Sequence, residues 1–176
     1  IKEDGTWRKR QPDEMKDEKK LGYVQTQQSF YNPDPLQRNL YLEQDAPNEQ
    51  DYFYRSVNVA RTNSGSAAFA GSNAVFLRQA LEDAGGLATY SITEDLATSI
   101  EILDRGYVSM AVDNELAHGL SPEDAASFIK QRQRWSRGSA QVIPTKRFFK
   151  SKLPLKAKWS FFVSYLYWWT FVRRLI

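Results

Sequence analysis

Leu21-Gly22-Tyr23-Val24-Gln25-Thr26-Gln27 alternates bulky and polar side chains with the period of two that predicts a short strand. Phe30 to Pro35 then reads as a turn, with Asp34-Pro35 placed to open a helix carrying Leu36, Leu40 and Tyr41. From Gln50 to Arg61 the apolar positions Phe53, Val57 and Ala60 recur at helical spacing, which predicts a helix with one core-facing stripe, broken by Asn63-Ser64-Gly65-Ser66. Ala67 to Phe76 is rich in small residues and is predicted as a strand with room beside it for a ligand. A short helix over Arg78–Asp83 is stopped by Gly85-Gly86. Thr93 is placed to cap a helix with Leu96, Ile100 and Leu103 on its buried side and Gly106 at its end; Tyr107 to Val112 is an apolar strand. Ser121-Pro122-Glu123-Asp124 has the residues of a helix start: a hydroxyl cap, a proline at the first position, and two acids at the positive end of the dipole. The order strand, helix, helix, strand, helix, helix, strand, helix is an α/β pattern.

At 176 residues the chain is long enough for one domain with a tail and too short for two ordinary domains. A net charge of +3 is modest, and the aromatics are not arranged as a base-stacking module, so no nucleic-acid partner is expected. The chain has no cysteine, which excludes disulfides and thiolate metal sites. His118, the single histidine, reads as a turn or packing residue. Residues 1–20 mix acids and bases without periodicity and lack the apolar core of a signal peptide. They are expected to form a charged flexible segment, and the chain is expected to be a fragment. Beyond Ile143 the composition changes. Residues 144–158 are basic with interspersed Phe148, Phe149, Leu153 and Leu155, which suits an amphipathic helix on an anionic membrane surface. Residues 159–176 are apolar and aromatic up to Arg173-Arg174, shorter than the roughly 20 residues a span needs, so they read as an interfacial helix or the start of a transmembrane one.

Two stretches carry candidate chemistry. On the helix after Ser121, Gln131 and Arg134 are three apart and Trp135 is four from Gln131, so an amide, a guanidinium and an indole share a face. A fork of donors beside an aromatic plate suits a phosphate next to a sugar ring, since Arg binds phosphate oxygens bidentately and an indole covers apolar C–H faces. Taken alone, such a helix is more often a solvated face with one buried anchor. Glu94 and Asp95 likewise serve either as first-turn acids favouring the dipole or, for Asp95, as a base.

Gln131-Arg132-Gln133-Arg134-Trp135 matches the Q-x-x-R-W signature of the processive family-2 glycosyltransferases, the membrane enzymes that make cellulose, chitin and hyaluronan, and Thr93-Glu94-Asp95 matches the same family's T-E-D motif. Val24-Gln25-Thr26 with Phe30-Tyr31-Asn32-Pro33-Asp34-Pro35 looks like the corresponding stretch of bacterial cellulose synthase catalytic subunits. Phe69, Gly71 and Ser72 resemble the family's F-F-C-G-S stretch near the acceptor sugar, with Ala70 in place of its cysteine. The resemblance covers residues 21–176 and implies a partial GT-A fold, with residues 21–143 as the acceptor-binding half of the catalytic domain. It further implies an inverting transferase that extends a β-linked polysaccharide from a UDP-sugar, most simply glucose, on the cytoplasmic side of a cell membrane. Asp95 would be the base, with Thr93, Glu94, Gly71, Ser72, Gln131, Arg134 and Trp135 binding substrate. Mg2+ or Mn2+ is the implied cofactor, with ligands outside this stretch. The implied partners are the donor, the growing polymer, membrane lipid and other subunits of a membrane complex. A synthase of chitin or hyaluronan type and a non-catalytic peripheral membrane module remain the alternatives.

Overall fold

The computed structural model describes residues 19–169. Its centre is a three-stranded sheet in the order β2-β1-β3. The middle strand, β1 (Leu21–Phe30), is antiparallel to β2 (Ala74–Phe76) and parallel to β3 (Val108–Gly119). A parallel pair needs a crossover, and the helical chain between Phe30 and Val108 supplies it. Both long strands outrun the ends predicted at Gln27 and Val112, because irregular pairing continues as far as Phe30 opposite Gly119. Near that end Ser29 Oγ lies 2.5 Å from His118 Nδ1, and the exposed imidazole has the Tyr31 ring 5.0 Å away, centre to centre.

The buried face of β1 is mostly polar: Tyr23 is followed by Gln25, Gln27 and Ser29. Buried amides need partners, and they explain why the strand predicted over Ala67–Phe76 forms only at Ala74–Phe76. Upstream, side chains replace the ladder. Gln25 Oε1 accepts from Ala70 N at 3.0 Å, and Ser99 Oγ accepts from Phe69 N at 2.8 Å. Asn58 holds both backbone groups of Ala68, accepting from its N–H at 2.7 Å and donating to its carbonyl at 2.9 Å. The hydroxyls of Tyr23 and Ser109 donate to Ala67 O at 2.6 and 2.7 Å.

α1 (Pro35–Asn39) opens at Asp34-Pro35 as predicted, with Asp34 and Gln37 forming a reciprocal capping box, but it ends before Leu40 and Tyr41; α2 (Glu49–Tyr52) then runs into a π-helical stretch (Phe53–Asn58) and α3 (Val59–Arg61). The wider turn rotates the helix face. Tyr54, Asn58 and Arg61 are buried, whereas Phe53 and Val57 are half-buried and Ala60 is exposed, so the predicted stripe is not the buried one. Arg61 lies 5.0 Å from the centre of the Phe161 ring and donates to Ser160 O and Ser164 Oγ; burial pulls its guanidinium down to about 10.

α4 (Arg78–Asp83) ends ahead of Gly85 and Gly86, both in the left-handed region that glycine tolerates. α5 (Glu94–Asp104) buries Ile100, Ile102 and Leu103. α6 (Ala125–Val142) starts at Asp124, whose carboxylate accepts from Ser127 N at 2.8 Å, and not at Ser121. Ser121 is instead tied to Asn32: its N–H donates to Asn32 Oδ1, its hydroxyl to Asn32 O, and its carbonyl accepts from Asn32 Nδ2.

The amphipathic helix expected over 144–158 is two elements, α7 (Lys146–Lys150) and the start of α8 (Leu155–Tyr167). Pro154 has no N–H and disfavours a helical conformation at Leu153, while Lys152 N donates to Asp104 Oδ1 instead of a helix carbonyl. Phe148, Leu153, Ala157 and Phe161 are buried in one cluster with Ala97, Ile100 and Leu103 of α5, so this part of the tail packs on the domain. Among the described residues no helix is long and apolar enough to cross a membrane. Residues 170–176, and all but Lys19 and Lys20 of the segment expected to be flexible, lie outside the described residues.

Candidate active site

Asp95 stands in the first turn of α5 with Oδ1 accepting from Leu96 N at 2.7 Å. Burial pushes its carboxyl above the ordinary aspartate range, and the neighbouring Glu94 adds to this; the Leu96 N–H and the Arg134 charge pull it back only in part. The dipole of α5 alone would favour the ionised form, so burial decides the direction. A carboxylate short of solvation is a stronger base than one in water.

Thr93 occupies the cap position of α5, yet its hydroxyl makes no capping bond; it lies 3.1 Å from Ser91 Oγ. Its methyl and hydroxyl press on α6 at Gly138, where a Cβ would come within 2.3 Å of both. Around that contact the loop is fixed to α6 by Gln141 Oε1, which accepts from Ile92 N at 3.0 Å. The residue before Glu94-Asp95 is therefore packed directly on the helix that bears Gln131 to Trp135.

The third contributor is the turn at Gly71-Ser72-Asn73. Gly71 (φ +85°) and Asn73 (φ +55°) are both left-handed, and a Cβ on Gly71 would meet Asp95 Oδ2 at 3.1 Å. Glycine is needed twice there, for the conformation and for the approach of backbone to carboxylate. Ser72 Oγ donates to Gln28 Oε1 at 2.8 Å, and Ser72 O accepts from Gln25 Nε2 at 2.8 Å, which locks the turn to β1. Buried Tyr54, from the π-helical stretch, adds its hydroxyl: burial pushes the phenol up to about 12, a hydrogen bond with Ser72 opposes this, and the Asp95 charge adds to it.

The structure thus brings Gly71, Ser72, Thr93 and Asp95 together, with Arg134 close enough for its charge to act on Asp95. Arg134 is exposed and Glu94 points to solvent. Gln131 and Trp135 are half-buried further along α6 and engage Arg132, whose guanidinium carbon lies 4.5 Å from the Trp135 ring centre. Tyr54, Gln28, Arg132 and Gly138 were not singled out by sequence. Only Gly138 left a legible signal, as a glycine inside a long helix seven residues after Gln131. Among the described residues no group of three His, Asp or Glu could hold a metal ion.

The fold is mixed α/β and glycosyltransferase-like. Residues 12–176 match glycosyl transferase family group 2, and the chain belongs to that family. It is 38% identical over 123 residues to the "Cellulose synthase catalytic subunit [UDP-forming]" of Xanthomonas axonopodis pv. citri, a match covering 70% of this chain and 17% of that one. With the "Cellulose synthase 1 catalytic subunit [UDP-forming]" of Komagataeibacter xylinus it shares 35% identity over 129 residues, covering 73% and 17%. The chain therefore spans about a sixth of the length of these relatives. Among solved structures, a mannosyltransferase from Pyrobaculum calidifontis in complex with GDP-Man and Mn2+ shares the fold, with a TM-score of 0.53 at 21% identity over 85% of this chain and 37% of that one.

Proposed function

We propose that this chain is the acceptor-binding half of the catalytic domain of a membrane-bound processive transferase, which adds glucose from UDP-glucose to a growing β-glucan with inversion. The observation that carries this reading is the Asp95 carboxylate, deprived of solvation and set against the Gly71 backbone where three motif segments meet. Asp95 takes the proton of the acceptor hydroxyl as that oxygen attacks the anomeric carbon from the face opposite the nucleotide. One C–O bond forms, the bond to the diphosphate breaks, and the configuration inverts. A positioned base of this kind contributes on the order of a hundredfold or more. Arg134, exposed and free of a carboxylate partner among the described ion pairs, is placed to meet charge on the departing diphosphate, and the Trp135 indole to carry the acceptor sugar.

The described residues do not fit a metal site, and an Mg2+ or Mn2+ ion would be held by residues outside this stretch. Exposed Lys146, Lys150, Lys152 and Lys156 beside exposed Phe149 and Trp159 support placement of the domain at the cytoplasmic surface of an anionic membrane. The test is to give membranes carrying the full-length protein individual UDP-sugars and to digest any product with linkage-specific glycosidases. A β-glucan made from UDP-glucose is expected; a product from UDP-N-acetylglucosamine alone would move the reading to a chitin-type synthase.

A further inference from the structure

Arg132 and Arg134 are two residues apart on α6 and sit in opposite surroundings. Arg134 is exposed, whereas the Arg132 side chain keeps 15% of its accessible surface. Its Nε and Nη2 both donate to Glu49 Oε2, at 3.2 and 2.5 Å, and its Nη1 donates to Gln131 Oε1 at 2.9 Å. Two aromatic rings lie against the guanidinium, Phe128 at 4.3 Å and Trp135 at 4.5 Å from its carbon to the ring centres. The other carboxylate oxygen of Glu49 accepts from Tyr167 OH at 2.8 Å, and the Trp135 indole meets Trp168 edge-on at 6.5 Å. One acidic side chain at the start of α2 therefore joins α6, through Arg132, to the end of α8, through Tyr167.

We infer that Arg132, clamped by Glu49, is a positioning residue that sets the working geometry of Gln131 and Trp135; the inference rests on the reading of those two residues as substrate-facing. Two physical consequences follow from the contacts. Because Arg132 donates to the carbonyl oxygen of the Gln131 amide, it fixes which end of that amide carries the two N–H donors of Nε2, and a donor suits a sugar hydroxyl or a diphosphate oxygen. The guanidinium stacked on Trp135, with Trp168 at the ring's edge, restricts the plane of the indole, and an aromatic platform for a sugar is useful only in a fixed plane. With its charge matched by Glu49 and its surface enclosed, Arg132 is itself poorly placed to bind a phosphate. The division of labour is that Arg134 faces substrate and Arg132 orients its neighbours.

The experiment uses the full-length protein in membranes, with polymer synthesis from UDP-glucose followed as kcat, donor KM and thermal midpoint for Glu49→Gln, Arg132→Lys, Arg132→Met, the double variant Glu49→Gln/Arg132→Met, and the charge swap Glu49→Arg/Arg132→Glu. Arg132→Lys keeps the charge but loses the planar fork, so both it and Arg132→Met are expected to lower kcat by roughly ten- to a hundredfold with donor KM within about twofold. The double variant is expected to be no worse than Arg132→Met alone, because both residues act through one clamp. The swap restores an ion pair between the helices and is expected to recover the thermal midpoint without recovering kcat. Wild-type kcat in Arg132→Lys and Arg132→Met, or full recovery of kcat in the swap, would overturn the inference and leave a helix-joining ion pair. Trp135→Ala is measured alongside: if it too has wild-type kinetics, the reading of the site has failed, whereas a dead Trp135→Ala beside normal Arg132 variants condemns the positioning role alone.

Discussion

Gly138→Ala adds one methyl group where α6 meets Thr93. The new Cβ would lie 2.3 Å from Thr93 Cγ2 and Oγ1 and 2.7 Å from Thr93 Cβ, against about 3.4 Å for ordinary contact. Turning the Thr93 side chain cannot clear it, because Cβ does not move with χ1. The loop and the helix must separate by about 1 Å, and Glu94-Asp95 move with the loop. In an exposed helix alanine would gain about 1 kcal/mol over glycine; overpacking costs about 1–3 kcal/mol, so the net loss of stability is about 0–2 kcal/mol. Catalysis feels the displacement more strongly, since a shift of about 1 Å between reacting groups costs on the order of a hundredfold. Polymer synthesis by the full-length variant in membranes is therefore expected to fall about a hundredfold while its thermal midpoint changes by only a few degrees. Ala140→Gly, at an exposed position of the same helix, removes about 1 kcal/mol of helix propensity without a clash and serves as the control for stability alone. If Gly138→Ala keeps kcat within twofold, or if Ala140→Gly loses as much, contact between the two motif segments does not hold the base in register.

Asp95→Asn is expected to stabilise the fold at neutral pH. The folded pKa is raised above the unfolded value, so the stability contributed by the protonated acid is complete below about pH 4 and is lost as pH rises through the folded pKa. Denaturation at several pH values should show the variant's advantage opening above that lower limit, and an advantage of the opposite sign would contradict the burial of Asp95. Asn58→Ala leaves the N–H and carbonyl of Ala68 without their partners inside the core, and is expected to cost about 2–4 kcal/mol in a denaturant titration. Replacing Lys146, Lys150 and Lys156 by Gln removes three exposed charges, each contributing about 1 kcal/mol near an anionic surface, so vesicle partitioning at low salt should fall on the order of a hundredfold. Unchanged partitioning would detach the exposed basic face from the membrane.

Local signals made the sheet and most helices readable. The strand signal from Leu21, the helix start at Asp34-Pro35, and the paired glycines after α4 each act through near neighbours, and each is found where its residues predict it. The misreadings came from partners distant in sequence. Ala67 to Ala70 has the composition of a strand, but its backbone is held by Asn58, Ser99 and Gln25, and no local pattern announces that. Ser121 has every feature of a cap and is taken up by Asn32 instead, so the helix waits for Asp124. The π-helical stretch turns Tyr54 inward, and with it a hydroxyl beside Ser72 and Asp95 that an even 3.6-residue period hides. For the site the motifs indicated Asp95 and the α6 face, whereas its tuning by burial and the clamp at Glu49 exist only once the chain has folded.

In the proposed function Asp95 is the base of a glycosyl transfer whose nucleotide is held elsewhere. The most direct measurement is polymer synthesis by full-length Asp95→Asn in membranes, with UDP affinity determined on the same preparation. The amide keeps the shape of the carboxylate but cannot accept the acceptor's proton, so synthesis should fall at least a hundredfold with UDP affinity within about twofold of wild type. Synthesis within a few-fold of wild type would contradict the account and return Asp95 to the role of a first-turn acid on α5.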